Sequence, residues 1–547
     1  MTQVNSFSPS GIFRFFHSNR FGVLVLFVTT FSIFLTDLGD EWVYDDHLQV
    51  ESNLYIRSAR HVPRIFTSDF HESTGENPYV SGSYRPILLL SYAIDYAVLG
   101  LRPLGFHLTS NFLHAFNACL FYWLASIVLQ PGLALALGFL FSLHPVVVES
   151  VALIGNRADL LVGTFAILHV ISLLKFTSVP CSKSTRWAAV YLLSIPAGLF
   201  AKESFFFIPF GALLGVSICY PIPVVRKRIV KIALGAVLVS VVCVLWRSYV
   251  TTGFSTRFLG FSFLRDFAEI VFRYIQVLVL PAETDFFFSY AASDALTDVQ
   301  VWGIIFACVF ILLLVCRSAQ RLGAAIGFFL WITPLLPAAG AKHFIDTIGE
   351  RWFYLSHAGF CLLLGAALGT WIREFKVSYV AISLAFLSLL TVLTVRRNME
   401  VKSEISFYQS SIERDATNYR PYFQLTKYFR RVGDIKEEIR YLRGTLRQNP
   451  RFVPALNGLA VRMIDDNRLD EARTLLRRAY AIDRNRTATL FNVGYYYETK
   501  ANSSKALDWY LRAAKTRPDS AAIHAAIGRM NQKLRSSNSV STELKRR

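Results

Sequence analysis

Residues 21–47 read FGVLVLFVTTFSIFLTDLGDEWVYDDH, and the reading of this stretch decides the fold. Its first part, Phe21 to Thr36, is an apolar run preceded by Arg14 and Arg20. A basic flank and an apolar core resemble a secretory signal, but no small-x-small cleavage site precedes Asp37, so the run reads as an uncleaved signal anchor. It is followed by Val43-Tyr44-Asp45-Asp46-His47, two adjacent carboxylates and an imidazole where a membrane helix meets water. A carboxylate in that place can orient an acceptor hydroxyl and take its proton. A solvated acidic loop capping a helix end is the plainer alternative.

The rest of the chain supports the membrane reading. It has 547 residues, is 53% hydrophobic and has a mean hydropathy of +0.39, too apolar for an ordinary soluble protein. Runs able to span a bilayer, about 20 residues each, recur at 21–38, 107–129, 131–149, 159–176, 187–203, 204–222, 229–250, 298–316, 322–339, 353–372 and 377–395. Arg85–Gly100 and Phe267–Leu280 are amphipathic and interrupted by charge, so they read as helices lying at the interface. Eleven spans follow, with the termini on opposite sides. The basic short loops (Arg14/Arg20, Lys175–Arg186, Arg226–Lys231, Arg317/Arg321, Arg373/Lys376) share one face, which the positive-inside rule makes cytosolic. The opposite, luminal face then carries the loop 39–84, Gly155–Asp159, Lys202-Glu203, Asp285 and Gly340–Arg351.

The formal charge of +19 is concentrated late: from Arg396 onward there are 31 basic and 16 acidic residues. A basic tail suits nucleic acid, anionic lipid or acidic peptides, and a luminal location excludes the first. The seven cysteines form no CxxC pair and lie mostly in apolar runs, so they read as small hydrophobes. From Asn418 the chain turns polar and repeats at 34 residues: Ala472 with Ala506, Ala479 with Ala513, and Pro450, Arg484 and Pro518. The units are 418–450, 451–484 and 485–518, closed by an amphipathic helix 521–534. This spacing resembles tetratricopeptide repeats, whose helix pairs stack into a solenoid with a concave peptide-binding face. The first unit fits less well, with Glu438 and Thr445 at the alanine positions. Asn485-Arg486-Thr487 and Asn502-Ser503-Ser504 are glycosylation sequons, in keeping with a luminal tail.

Ionisable groups near membrane depth are costly, so each is a functional-site hypothesis. Arg85 ends the first loop; His107 and His114 lie on the second span; Glu149 closes the third; Arg157 and Asp159 open the fourth. Lys202-Glu203 separates two helices, and Glu350, Arg351 and Tyr354 begin the tenth. The structural alternatives are a hairpin tip at Lys202-Glu203, a local Arg157–Asp159 ion pair, a hydrogen-bonded core role for His114 and a structural Asp95. His47 beside two carboxylates raises the idea of a divalent cation, but no further ligands are spaced to complete a site, so we expect no metal. A guanidinium at Arg351 can grip a phosphate bidentately, with Lys202, Lys342 and His343 adding to the field. A carboxylate pair and a cationic site together describe glycosyl transfer from a lipid-phosphate sugar.

The ordered set Tyr-Asp-Asp-His, Ser-Tyr-Arg-Pro (83–86), Gly-Phe-His-Leu (105–108), His-Pro-x-x-x-Glu-Ser-Val (144–151), Gly-Asn-Arg-Ala-Asp-Leu (155–160), Lys-Glu (202–203) and Glu-Arg-x-x-Tyr-Leu (350–355), with the repeats, resembles the TMTC family of transmembrane and tetratricopeptide-repeat proteins of the endoplasmic reticulum. The resemblance covers nearly the whole chain. It implies an all-α GT-C membrane fold followed by a luminal repeat solenoid. It further implies O-mannosylation of Ser/Thr on secretory-pathway proteins, with dolichyl-phosphate mannose as donor and no cofactor. By carry-over, Asp45 and Asp46 match the acidic pair, one of them the base, and Arg351 matches the Glu-Arg motif beside the donor phosphate. Transfer is then direct and inverting. The repeat array, about three units, is shorter than typical for the family, so cadherin-type acceptors do not follow, and Asp69-Phe70-His71-Glu72 is a second acidic cluster. The expected layout is a cytosolic segment 1–20, a membrane domain 21–396 with catalytic loop 39–84, a linker 397–417, repeats and cap 418–535, and a disordered tail 536–547. Two other functions remain open: a non-catalytic membrane scaffold recruiting luminal partners through its repeats, and a transporter, which needs polar groups nearer the midplane.

Overall fold

A computed structural model describes residues 20–38, 41–70, 72–74, 83–178, 181–219, 223–251, 261–281, 288–289, 296–341, 347–370 and 377–544. Among the described residues the regular structure is helical apart from one short antiparallel pairing, Phe288–Ser289 with Thr347–Ile348. It divides into two compact units, Met1–Phe407 and Tyr408–Arg547.

We number the helices of ten residues or more in chain order. In the first unit they are α1 (Arg20–Ile33), α2 (Pro86–Leu99), α3 (Pro103–Val128), α4 (Pro131–Leu143), α5 (Arg157–Ser178), α6 (Cys181–Ala201), α7 (Ile208–Cys219), α8 (Pro223–Val250), α9 (Phe261–Val279), α10 (Asp298–Arg317), α11 (Arg321–Ile332), α12 (Tyr354–Leu368) and α13 (Val377–Glu400); the boundary between the units falls within α14 (Glu404–Arg414). Prolines at the first turns of α2, α3 and α4 suit positions whose N–H has no intrahelical partner.

The eleven apolar runs of the sequence correspond to helices of unequal length. Among the described residues, six are long and apolar enough to cross a membrane: Pro103–Val128, Ile154–Ser178, Lys227–Val250, Asp298–Arg317, Arg321–Ala339 and Ala381–Glu400. A seventh results if Pro131–Leu143 and Pro145–Ala152, bent by 53°, count as one. The break is built by His144, whose Nδ1 accepts from Val146 N while Pro145 withdraws a donor. Other apolar runs form shorter helices: the 14 residues of α1 reach only about 21 Å at 1.5 Å per residue. α2 is equally short.

Burial separates the helices by environment. Across α5 almost every side chain is buried, and α11 meets α12 at backbone contact. A Cβ on Gly359 would lie 2.2 Å from Trp331 N, and one on Gly327 2.5 Å from Leu363 N, so only glycine permits that crossing. In contrast α8, α10 and α13 turn most of their apolar side chains outward, as helices facing lipid do.

The second unit contains α15 (Tyr419–Val432), α16 (Ile435–Gln448), α17 (Val453–Asp465), α18 (Leu469–Ile482), α19 (Thr487–Thr499), α20 (Ser503–Thr516) and α21 (Ala521–Leu544). The starts of α15, α17, α19 and α21 are 34 residues apart, as are those of α16, α18 and α20. Successive helices pack as neighbours over Leu442, Leu456, Leu459, Met463 and Leu476, with Ala472, Ala479, Ala506 and Ala513 fully buried at the crossings. The register holds in the first repeat for a polar reason. Glu438, at an alanine position, is buried and accepts from Arg430 and Arg462, each 2.7 Å away. Two sequence boundaries also shift. Within 397–417, Arg397 and Asn398 are buried parts of α13, and α21 continues to Leu544, through most of the expected tail.

Candidate active site

The segment after α1 makes a tight turn at Tyr44, which adopts φ 57°, a left-handed conformation unfavourable for a tyrosine. The turn sends the two aspartates to different places. Asp46 points inward and is fully buried; its Oδ1 accepts from Gly155 N at 2.6 Å and its Oδ2 from Val43 N at 3.2 Å. Burial pushes its carboxyl up to about 7, although both backbone donors oppose that shift. Asp45 instead lines a cavity of about 520 Å³. Gly155 lets this loop approach: a Cβ there would stand 3.2 Å from Asp45 Cβ and 3.3 Å from Asp46 Oδ1.

The cavity gathers side chains from widely separated parts of the first unit. Its charged lining is Asp45, Arg85, Asp159, Lys202, Glu203, Arg247 and Arg351, and its apolar wall includes Leu48, Phe70, Val162, Pro334, Pro337 and Leu355. Asp159 holds Lys202 Nζ with both oxygens, each at 2.7 Å. Glu203 is shared by Arg85 at 3.2 Å and Arg247 at 3.1 Å. Arg351 is fixed twice by Glu149, through its guanidinium and through its backbone N at 2.9 Å. Burial lowers the Lys202 ammonium from its usual range, with Asp159 opposing. Burial also works against charge on Arg351, but Glu149, Tyr44, Asp45 and Asp159 together raise it.

Of the residues singled out in the sequence, the structure thus brings Asp45, Arg85, Asp159, Lys202, Glu203 and Arg351 to one cavity, with Glu149 directly behind Arg351. The others go elsewhere. His47 pairs with Glu51 at 2.5 Å and Glu404 at 3.2 Å, outside the cavity lining. Arg157 does not pair with Asp159: it is wholly buried, 2.6 Å from Asp95, and donates to Ser91, Ser110 and the Phe106 carbonyl. It braces α2 against α3 and α5. His107 is buried on α3. Glu350 pairs with Arg397 at 3.3 Å. The Tyr354 hydroxyl meets His114 Nδ1 at 2.9 Å and Asn117 at 3.1 Å, a core network that includes the expected buried role of His114. Lys202-Glu203 is no bare hairpin tip, since both side chains are paired. Glu72 accepts from the Tyr55 hydroxyl at 3.0 Å. Lys342, His343, Asp285 and His71 lie outside the described residues.

Sequence reading missed Arg247, along with Gln49 and Ser204 on the cavity wall, and quoted Asn156 and Trp352 only as parts of motifs. The signal for Arg247 was present: a single arginine near the end of a long apolar run is itself a functional-site hypothesis.

The cavity therefore combines three carboxylates, of which Asp159 and Glu203 are ion-paired to cations of the lining, with four cations and an apolar side. That set can bind an amphiphile with an anionic head and can hold a proton at Asp45. No protein-family profile matches the chain. A protein O-mannosyl-transferase of Caenorhabditis elegans is 24% identical over 450 residues, 79% of this chain and 63% of that protein. Human protein O-mannosyl-transferase TMTC4 is 24% identical over 75% of this chain and 64% of its own length. Drosophila melanogaster protein O-mannosyl-transferase Tmtc2 is 34% identical over a shorter stretch, 32% of this chain and 19% of its own. The chain thus spans under two thirds of the length of the relatives it matches. Over most of its own length it is homologous to proteins of the TMTC group, named protein O-mannosyl-transferases.

Proposed function

We propose that this protein transfers mannose from dolichyl-phosphate mannose to Ser/Thr hydroxyls of polypeptides in the lumen of the endoplasmic reticulum. The observation that carries the reading is the division of the acidic pair. Asp45 stands on the wall of a cavity that also holds Arg351, Lys202, Arg85 and Arg247, while Asp46 is locked onto Gly155 N. In the proposed step Asp45 accepts the proton of the acceptor hydroxyl. The hydroxyl oxygen bonds to the anomeric carbon, and the bond from that carbon to the phosphate oxygen breaks with its electron pair. The phosphate gains one negative charge as Asp45 loses one, so the net charge of the cavity and its contents is unchanged. The cations stabilise the charge where it develops. One base and one leaving group make this a single displacement with inversion.

The cavity lining supports the proposed orientation, because its charged loops are those the positive-inside rule puts on the luminal face. The 34-residue helical register of the second unit supports a tetratricopeptide-type array, whose proposed task is to hold acceptor polypeptides. The test is transfer of labelled mannose from dolichyl-phosphate mannose to luminal proteins in membranes carrying wild type, Asp45→Asn or Asp46→Asn at equal expression. Asp45→Asn should lose at least about 100-fold, the low end for a general base. Asp46→Asn should lose less and should do so through stability. Equal labelling by wild type and Asp45→Asn would remove Asp45 as the base; no labelling by wild type moves the scaffold reading ahead.

A further inference from the structure

Asn485-Arg486-Thr487 and Asn502-Ser503-Ser504 are the only Asn-x-Ser/Thr triplets of the chain, and both fall in the second unit. The fold sets them at opposite ends of one helix. Asn485 lies in the turn that joins α18 to α19, and Asn502 in the turn that joins α19 to α20. The 13 residues of α19 hold the two turns about 20 Å apart at 1.5 Å per residue. Both asparagines are exposed. Asn485 spends its backbone N–H on Asp483 Oδ1 at 3.1 Å, and its side chain has no hydrogen-bond partner among the described residues.

Asn502 caps α20, and its hydrogen bonds leave one polar atom over. Its N–H donates to the Tyr497 carbonyl at 2.9 Å, its carbonyl accepts from Ala506 N at 3.0 Å, and its Oδ1 accepts from Lys505 N at 3.1 Å. A backbone N–H only donates, so the side-chain atom that meets it is the oxygen, and Nδ2 is spared. The cap itself does not need an amide. Two repeats earlier Asp434 holds the equivalent place and caps α16 by accepting from Glu437 N at 3.0 Å. What asparagine adds at this place is a carboxamide nitrogen with a serine hydroxyl two residues on. We propose that Asn485 and Asn502 each carry an N-linked oligosaccharide, attached by the host's oligosaccharyl transferase as the chain enters the lumen. In that step Nδ2 gives a proton to a base of the transferase and bonds to the anomeric carbon of an oligosaccharide. The bond from that carbon to a lipid diphosphate breaks with its electron pair. The proposal rests on the luminal placement of the second unit. The glycans, bulky and hydrophilic, cover both edges of the third repeat, so a polypeptide reaching that repeat approaches over its helix faces.

Full-length protein made with sealed endoplasmic-reticulum microsomes reads the sites by gel mobility before and after peptide N-glycosidase. Wild type should be retarded by two steps, both removed by the glycosidase. Asn485→Gln should lose one step, Asn502→Asp the other, and the two substitutions together should lose both. Asn502→Asp is the clean variant, because an aspartate keeps the cap. Ser504→Ala leaves the asparagine untouched and should lose the same step, whereas Thr487→Ser keeps its hydroxyl and should keep its step. A step that survives substitution of its asparagine, or one that wild type lacks, overturns the assignment of that asparagine. Protease added outside the microsomes separates this proposal from the orientation beneath it. No step with the second unit protected overturns the glycans and leaves the luminal placement standing; no step with the second unit digested overturns both.

Discussion

Glu203 and Glu438 make the same local structure, one carboxylate shared by two arginines, in two unlike surroundings. Glu438 is fully buried between α16 and its neighbours, where Arg430 and Arg462 close over it from α15 and α17. Glu203 keeps 27% of its side chain exposed on a cavity wall, and its arginines keep 21% and 19%. Around Glu438 the arginines keep 50% and 22% exposure and the carboxylate alone is sealed, so that carboxylate has only stability to contribute. The same triad open to a cavity exchanges partners at low cost, because water or a ligand can replace what is displaced. The difference between an ion cluster that holds a fold and one that can receive a ligand lies in the solvent access, not in the residue types.

Asp46 offers the largest effect, as a buried carboxylate with no cation at all among its hydrogen-bond partners. Its pKa rises from 3.8 to about 7 on folding. Below about pH 4 both states hold the proton; between there and pH 7 only the folded state keeps it, so stability falls as pH rises and levels off above 7. The span is on the order of 4 kcal/mol at 1.36 kcal/mol per unit. Asp46→Asn should flatten the dependence of the thermal midpoint on pH between 4 and 7, and an unaltered slope would refute the assignment. Next comes Glu438→Gln, which leaves two guanidiniums facing a neutral amide. It should cost about 3 kcal/mol, the low end for a broken buried pair because Arg430 is half exposed. The readout is amide-exchange protection over residues 435–465; unchanged protection would erase the contrast with Glu203. Glu203→Gln should cost less than about 1 kcal/mol of stability, read from the thermal midpoint. Smallest is the asymmetry within the sealed triad. Arg462→Ala should destabilise more than Arg430→Ala, by a few tenths of a kcal/mol up to about 1, because Arg462 is the less exposed partner.

Much of the cavity could be read from the chain. Arg85, Asp159, Lys202, Glu203 and Arg351 all sit at the ends of apolar runs, where charge is expensive, and that cost singled them out. What could not be read was pairing. Arg157 and Asp159 are two residues apart on one helix, where side chains diverge, so each found its partner elsewhere in the chain, Asp95 on α2 and Lys202 just after α6. Nor do adjacent aspartates declare which is buried; that followed from the backbone at Tyr44 and the room left by Gly155. The helices differ in length from the apolar runs for a related reason. Hydropathy marks an apolar segment without saying whether His144-Pro145 bends it or whether its helix is only 14 residues long.

By itself the sequence determined the helical class, the apolar segments, the 34-residue register and the loops rich in ionisable groups, because periodicity and transfer energy act locally along the chain. Only the tertiary structure decided which of those charges meet, that Asp45 and not Asp46 lines the cavity, and that Arg247 joins Arg85 on Glu203. Those outcomes depend on which helix faces come together and on how much water each pair retains, and neither is a property of neighbours in sequence.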